Sequence, residues 1–432
     1  LRTIVYKKLD HPETFKKQLL NWGNQHREIA FLDSNNYPQK IKSYNYALAV
    51  NAFTAIQTDY FNAFDDLFQY QSQTKDWIFG YLSYDLKNDI EPLVSLNEDH
   101  LHFDDLFFFQ PQKIFLVQDS VLEIHYLNMC DDEMETDFEE IISTKEISYK
   151  NTNKIAIKQR ISKKNYLDKI SKIKQHIAKG DIYEMNFCME FFAENVQINP
   201  LQTYNLLNDI SETPFATFFK NNDKFILCAS PERYLRKEND SIISQPIKGT
   251  AKRYADLEED TYSKNALLNN LKEKTENIMI VDLVRNDLSN TAIKGSVSVT
   301  ELCQIYSFKQ VHQLISTITS KISHTTSPIE VLKTTFPMGS MTGVPKLKAL
   351  SIIEELEYSK RGVYSGAIGY FDPSGNFDFN VIIRSILYNS TERYVSFSVG
   401  SAITNASNPE SEYEECMLKA DAMFCVLNSV NL

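Results

Sequence analysis

The chain has no CxxC pair, no apolar run near the roughly 18 residues that span a bilayer, no internal repeat and no excess of basic side chains. Cys130, Cys188, Cys228, Cys303, Cys416 and Cys425 stand mostly in apolar runs, where a thiol packs as a small hydrophobe, and this fits a reducing cytoplasm. The opening residues Leu1-Arg2-Thr3-Ile4-Val5-Tyr6-Lys7 lack the apolar stretch of a secretory signal, so the expectation is a soluble, cytoplasmic protein. With 45 Lys and Arg against 57 Asp and Glu, the formal net charge of −12 repels nucleic acid and anionic membrane at long range. An anionic substrate therefore needs a local cationic site or a metal.

What is present reads as mixed helix and strand. The 432 residues leave one large domain or two open. We read 1–150 as an N-terminal region interleaved with the core and 151–432 as the region that carries the motifs. The acidic stretch Asp131-Asp132-Glu133-Met134-Glu135 opens a surface connection over about 131–160, for which a solvated acidic helix without function is the ordinary alternative. From Tyr166 the spacing of Tyr166, Ile170, Ile173 and Ile177 predicts a helix that Gly180-Asp181 stops. Alternation then predicts a strand through Tyr183, Met185, Phe187, Met189 and Phe191, with Glu184, Asn186, Cys188 and Glu190 on its other face. Trp77–Tyr84 and Lys113–Val117 are strand-like, and further strands are expected at 224–229, 241–245, 278–284, 363–371, 377–388 and 393–403. Asp372-Pro373-Ser374-Gly375-Asn376 reads as a hairpin turn, so part of the sheet is antiparallel. Helices are expected at about 258–277, 328–335, 345–357 and 409–428, with Pro345 and Pro409 suited to the first helical position.

Several residue groups can carry chemistry. Pro246-Ile247-Lys248-Gly249-Thr250 puts an amine on a tight turn sixteen residues after Glu232 of Ser230-Pro231-Glu232. Such a lysine is a solvated turn residue or, beside a carboxylic acid, a nucleophile. Glu273 and Glu276, and likewise Glu412 and Glu415, are spaced to share one helix face. If the two helices meet, four carboxylates converge, and oxygen-only ligands favour magnesium. Phe336–Lys346 is a glycine-punctuated loop running into a helix, where backbone N–H groups, Thr342 and Lys346 suit an anion, although the P-loop spacing is missing. Arg384, inside an apolar alternating strand, needs an anionic partner that is either structural or a ligand. His312 sits in a similar apolar setting, where a satisfied core histidine is the ordinary alternative.

Together these segments resemble the chorismate-utilising enzymes, the family of the anthranilate, aminodeoxychorismate, isochorismate and salicylate synthases. The resemblance covers about 160–432 through Gly180–Asn186, Ser230–Arg233, Met279–Asp287, Gly339–Lys346, Arg361–Tyr370 and Glu412–Glu415, with a weaker echo at Gly80–Asp85. It implies an α+β fold, a large β-sheet sandwich with helices packed outside. It also implies Mg²⁺ bound by Glu276 and Glu415, with Glu273 and Glu412 beside them, holding the ring carboxylate of chorismate. Arg384, Tyr364 and the backbone at Gly400 resemble the residues around the substrate carboxylates; Thr342 and Lys346 belong to the family's active-site loop, Thr250 to the same substrate-binding set, and His312 to a position close to the ring.

Pro-Ile-Lys-Gly-Thr resembles the members that form 4-amino-4-deoxychorismate, whereas anthranilate synthases look like Pro-Ile-Ala-Gly-Thr here. Members that add water have a lysine where this chain has Glu184. The resemblance therefore implies Lys248 as nucleophile, its pKa pushed down by desolvation and a nearby Mg²⁺, and Glu232 as acid. No glutaminase nucleophile elbow surrounds any of the six cysteines, so a separate glutamine amidotransferase subunit is the expected ammonia source. Gly400-Ser401-Ala402 and Asn405-Ala406-Ser407-Asn408 depart from the family's usual runs. Anthranilate synthase component I and a non-catalytic scaffold for the amidotransferase stay open as alternatives.

Overall fold

The computed structural model describes residues 1–38, 40–41, 43–145 and 155–428. Its layers follow from strands that bury both faces. In Leu106–Gln118, Phe107 and Phe109 join one apolar cluster while Leu106 and Phe108 join another, and all four are buried. A strand with period-two apolar residues on both sides must be covered on both sides.

The pairings are antiparallel and form two leaves. The first runs Arg2–Lys8, Val121–Leu127, Leu106–Gln118, Tyr46–Thr58, Glu28–Asp33, Phe215–Asn221, Lys224–Ser230, Ser385–Asn389, Tyr394–Thr404 and Glu184–Ala193. The second leaves Leu106–Gln118 through Ile78–Leu82, Ala367–Phe371, Phe377–Val381, Arg233–Glu238 and Ser241–Gln245 to Val311–Lys321, which also pairs with Ile247–Lys252 and Ser298–Ser307. Trp77, Phe79, Tyr81, Phe107, Phe109 and Phe219 belong to the apolar cluster between the leaves. Helices Pro12–Gly23, Lys163–Lys179, Pro200–Ser211 and Pro409–Asn428 contribute to the core outside the first leaf. Ala63–Thr74, Leu271–Ser289 and Pro328–Thr335 do so outside the second. This is a sandwich with outer helices. Among the described residues no helix is long and apolar enough to cross a membrane.

Local signals explain the elements that matter for the site. Ser162 caps Lys163–Lys179 by accepting from the Asn165 N–H, and Gly180 ends the helix at φ 82°. The hairpin turn over 372–376 joins Ala367–Phe371 to Phe377–Val381.

Other expectations are corrected. The strand read at 278–284 is the interior of the helix Leu271–Ser289: Ile280, Val284 and Leu288, spaced four residues apart, make a stripe that packs inward, and the Asn270 side chain caps the helix start. The helix read at 258–277 is therefore two, Leu257–Asn269 and Leu271–Ser289, broken at Asn270. The strand read at 363–371 shortens to Ala367–Phe371, because Tyr364 and Gly366 close turns onto Arg361 and Val363. Pro345 precedes its helix as the cap residue, whereas Pro409 is a first helical residue. The acidic stretch leads into a helix, Met134–Ser143, with Asp132, Glu133 and Glu135 exposed, as the solvated-helix alternative has it, while Met134, Asp137 and Ile141 are buried and Asp137 accepts from Tyr126 and Lys113. Residues 146–154 of that expected connection lie outside the described residues.

Candidate active site

A cleft of about 700 Å³ lies where Glu184–Ala193, Ile247–Lys252, Leu271–Ser289 and Pro409–Asn428 approach one another. Of the residues singled out in the sequence, Lys248, Glu232, Thr250, Glu273, Glu276, Tyr364, Arg384, Gly400 and Glu415 line it. Residues spread over more than 180 positions of chain thus reach one wall, because sheet pairing brings distant strands together.

Lys248 is placed by a bulge. The register of Ile247–Lys252 against Val311–Lys321 shifts between Ile247 and Thr250, and Gly249 takes φ 90°, a conformation suited to glycine. A Cβ on Gly249 would lie 3.1 Å from Glu273 Oε2, so the turn also lets the acidic helix approach. The bulge leaves Lys248 only 8 % exposed, with Nζ 2.8 Å from Glu184 Oε1. In the metal-free protein, without the expected contribution of Mg²⁺, the Lys248 pKa does not fall. Burial does push it down, but the charges of Glu184, Glu276 and Glu232 outweigh burial, and it is raised.

Glu232 follows Lys224–Ser230 and is buried. Its Oε1 accepts from Ser340 Oγ at 2.6 Å and from the Ile247 N–H at 3.4 Å. Burial nevertheless pushes its pKa up to about 7, so it holds a proton at neutral pH about half the time.

The acidic pairs do converge. Burial, with the charges of Glu184 and Glu273, pushes Glu276 up to about 8 despite Lys272 and Lys248, and its Oε1 has no hydrogen-bond partner among the described residues. Burial and the charge of Glu415 raise Glu273. Glu415 itself stays below the usual range, because its ion pair with Lys419 at 2.6 Å outweighs burial. Glu412 departs from the expected set: it lies outside the cleft lining and pairs with Lys272 at 2.8 Å. Among the described residues no group of three or more His, Cys, Asp or Glu side chains is arranged to hold a metal ion as it stands. An under-satisfied, crowded set of carboxylates on one side of a cleft fits a hard divalent cation that takes few protein ligands, and magnesium is such an ion.

Arg384 stands at a break between Phe377–Val381 and Ser385–Asn389, at φ 52°, rather than within the continuous strand read at 377–388. Its guanidinium reaches the cleft with no ion-pair partner among the described residues, and burial lowers its pKa. Tyr364 is buried beside it. Gly400 is pressed against the neighbouring strand: a Cβ there would lie 2.6 Å from Cys188 Sγ and 2.9 Å from the Phe187 carbonyl.

Three other expected residues sit away from the cleft lining. His312 has Nδ1 on Ser307 Oγ at 2.8 Å and Nε2 on Asp260 at 3.0 Å, so neither ring nitrogen faces a ligand. Lys346 is bound by Asp287 at 2.7 Å and by the Thr335 carbonyl. The buried Thr342 hydroxyl bonds the carbonyls of Met338 and Gly339. Sequence reasoning missed Ser340, Gln313 and Asn186, which line the cleft, and Lys272, which neutralises the acidic cluster. Lys272 had a readable signal, four residues before Glu276 on one helix.

The family described as chorismate binding enzyme matches residues 27–424, and the chain belongs to it. The aminodeoxychorismate synthase of Streptomyces griseus is 38% identical over 63% of this chain and 38% of its own length. Aminodeoxychorismate synthase component 1 of Bacillus subtilis is 30% identical over 80% of this chain and 75% of its own. Anthranilate synthase component 1 of Acetivibrio thermocellus is 32% identical over 80% and 73%. The chain thus spans well under half of the first of these relatives and about three quarters of the other two. The crystal structure of anthranilate synthase component I from Streptococcus pneumoniae has the same fold, with a TM-score of 0.78 at 24% identity, covering 90% of this chain and 94% of that one.

Proposed function

We propose that this enzyme converts chorismate and ammonia into 4-amino-4-deoxychorismate, as the component that works with a glutamine amidotransferase subunit. The observation that carries the reading is a buried amine, Lys248, in the wall of the same cleft as Glu232, a carboxyl group that keeps its proton to about pH 7. Relatives named aminodeoxychorismate synthase support it.

Arg384 and Tyr364 would bind a substrate carboxylate, since an arginine facing a cleft without a protein partner is an anion site. Glu276, Glu273 and Glu415 would hold Mg²⁺, which supplies positive charge for the ring carboxylate when bound. Lys248 then attacks C2. The C1=C2 and C5=C6 double bonds shift to C1=C6 and C4=C5, the C4–O bond breaks, and Glu232 gives its proton to the departing hydroxyl as water. Ammonia attacks C4, the double bonds return, and the bond from C2 to Lys248 Nζ breaks. An open groove that shares Thr250 and Glu273 with the cleft offers an approach for ammonia.

The test is incubation of the purified chain with chorismate, Mg²⁺ and an ammonium salt, with mass analysis of the product. Retention of the enolpyruvyl group is expected. Release of pyruvate with anthranilate would support the second reading, which the Acetivibrio thermocellus relative favours.

A further inference from the structure

We infer that Glu184 is the positioning residue that makes Lys248 a nucleophile, holding Nζ at the cleft wall and taking its proton as the amine attacks. The inference rests on the amination proposed above and goes beyond it. A raised, ion-paired lysine is an ammonium, and an ammonium has no lone pair with which to attack. Some neighbouring group must accept a proton before the carbon–nitrogen bond forms.

The groups around Nζ are Glu184 from its strand, Glu232 from the turn after Lys224–Ser230, Glu276 from Leu271–Ser289 and Glu415 from Pro409–Asn428, with Lys272 and Lys419 behind the acidic pairs. Glu232 is unsuited to accept, because it is the group that must still hold a proton for the leaving hydroxyl. Glu276 forms its ion pair with Lys272 at 3.5 Å, and Glu415 with Lys419 at 2.6 Å. Glu184 alone is in ion-pair contact with Nζ among the described residues, at 2.8 Å.

Its setting suits the task. Glu184 is 1 % exposed and does not line the cleft, so a proton it takes stays behind the amine, away from the substrate. The proton passes to Oε1, the oxygen 2.8 Å from Nζ, while Oε2 has no hydrogen-bond partner among the described residues that would compete for the carboxylate. Its backbone is fixed between two strands, opposite Val344 on one side and Thr404 on the other.

The step balances. The pair begins as Lys248 ammonium and Glu184 carboxylate, with Glu232 protonated. Transfer gives a neutral amine and Glu184 carboxylic acid; attack makes a secondary ammonium on C2, and the Glu232 proton leaves with the hydroxyl as water. When ammonia enters C4, Nζ departs as a neutral amine and recovers its proton from Glu184. Glu232 recovers its own proton from the new C4 ammonium.

Transfer within a pair moves no proton to solvent, so the reactive fraction of Lys248 is independent of pH while the pair is intact. Without Glu184 the amine must lose its proton to water, and its reactive fraction rises about tenfold per pH unit below its pKa. The test is E184Q, which keeps the side chain's shape. Its adduct, chorismate less water on Lys248, is followed by rapid quench and intact-protein mass between about pH 6 and 9, without ammonia, with K248A as the blank. Adduct formation in the parent should be nearly flat apart from the Glu232 limb. In E184Q it should be at least about tenfold slower near pH 7 and climb with pH, and E184D should restore part of the flat profile. Equal or faster adduct formation in E184Q at every pH overturns the inference, because Glu184 would then merely silence the amine. A uniform loss with the parent's profile overturns it too, since that is the signature of packing alone. If the parent forms neither adduct nor aminodeoxychorismate, the amination reading fails instead.

Discussion

Ser340 Oγ donates to Glu232 Oε1 at 2.6 Å, across 108 residues of sequence. That bond favours the charged carboxylate and so lowers the pKa that burial has raised to about 7. As an acid, Glu232 works only while protonated, so kcat/KM for chorismate should fall as pH rises through about 7. Ser340→Ala removes the donor, and its descending limb should move to higher pH. A pH–rate profile of both proteins checks this, and a limb that moves down or stays fixed contradicts the assignment.

Loss of either principal group should act on chemistry more than on binding. Glu232→Gln and Lys248→Ala should each lower kcat by roughly 10²- to 10⁴-fold, the usual range for a positioned acid or nucleophile. Steady-state kinetics distinguish this from a binding defect, which would show in KM. Lys248→Ala should also abolish the covalent adduct seen by mass.

The acidic cluster makes stability depend on pH. Glu276 moves from 4.5 to about 8 on folding, so the folded state prefers its protonated form. The stability it contributes is complete below its unfolded pKa and is lost as pH rises toward about 8. The metal-free protein should therefore show a Tm that declines across this window. Glu276→Gln should flatten that decline, and added Mg²⁺ should raise the Tm of the parent most at its upper end. Calorimetry at several pH values, with and without the ion, measures all three.

Gly400 packs too closely on its neighbour for any side chain. Gly400→Ala puts a methyl group within 3 Å of Cys188, Asn186 and Phe187 atoms, at a cost of about 1–3 kcal/mol. Cys188→Ala in the same background should recover part of the loss, because one of the three contacts disappears. Denaturant titration of the single and double variants tests the coupling.

What could be read from the sequence was mostly local or short in range. The helix ended by Gly180 and the hairpin turn at 372–376 follow from spacing and turn residues. Ile278-Met279-Ile280-Val281 has the β-branched content of a strand, yet Leu271–Ser289 is helical because an inward stripe and the Asn270 cap prevail over local propensity. The acidic pairs were legible by their spacing on a helix. The contact between Lys248 and Glu184 was not, because it joins two strands far apart in the chain behind the cleft wall. His312 fits the ordinary reading of a satisfied core histidine, although its partners Ser307 and Asp260 come from different elements and were not legible.

The recognisable motifs after about residue 160 invite the production of that part as a minimal enzyme. Glu28–Asp33 pairs along Phe215–Asn221, and Ile78–Leu82 pairs along Ala367–Phe371. Cutting away the preceding residues would strip partners from both strands and leave two raw sheet edges beside uncovered aromatic side chains. Such a fragment should aggregate rather than fold, so engineering of the catalytic motifs has to carry the amino-terminal strands with them.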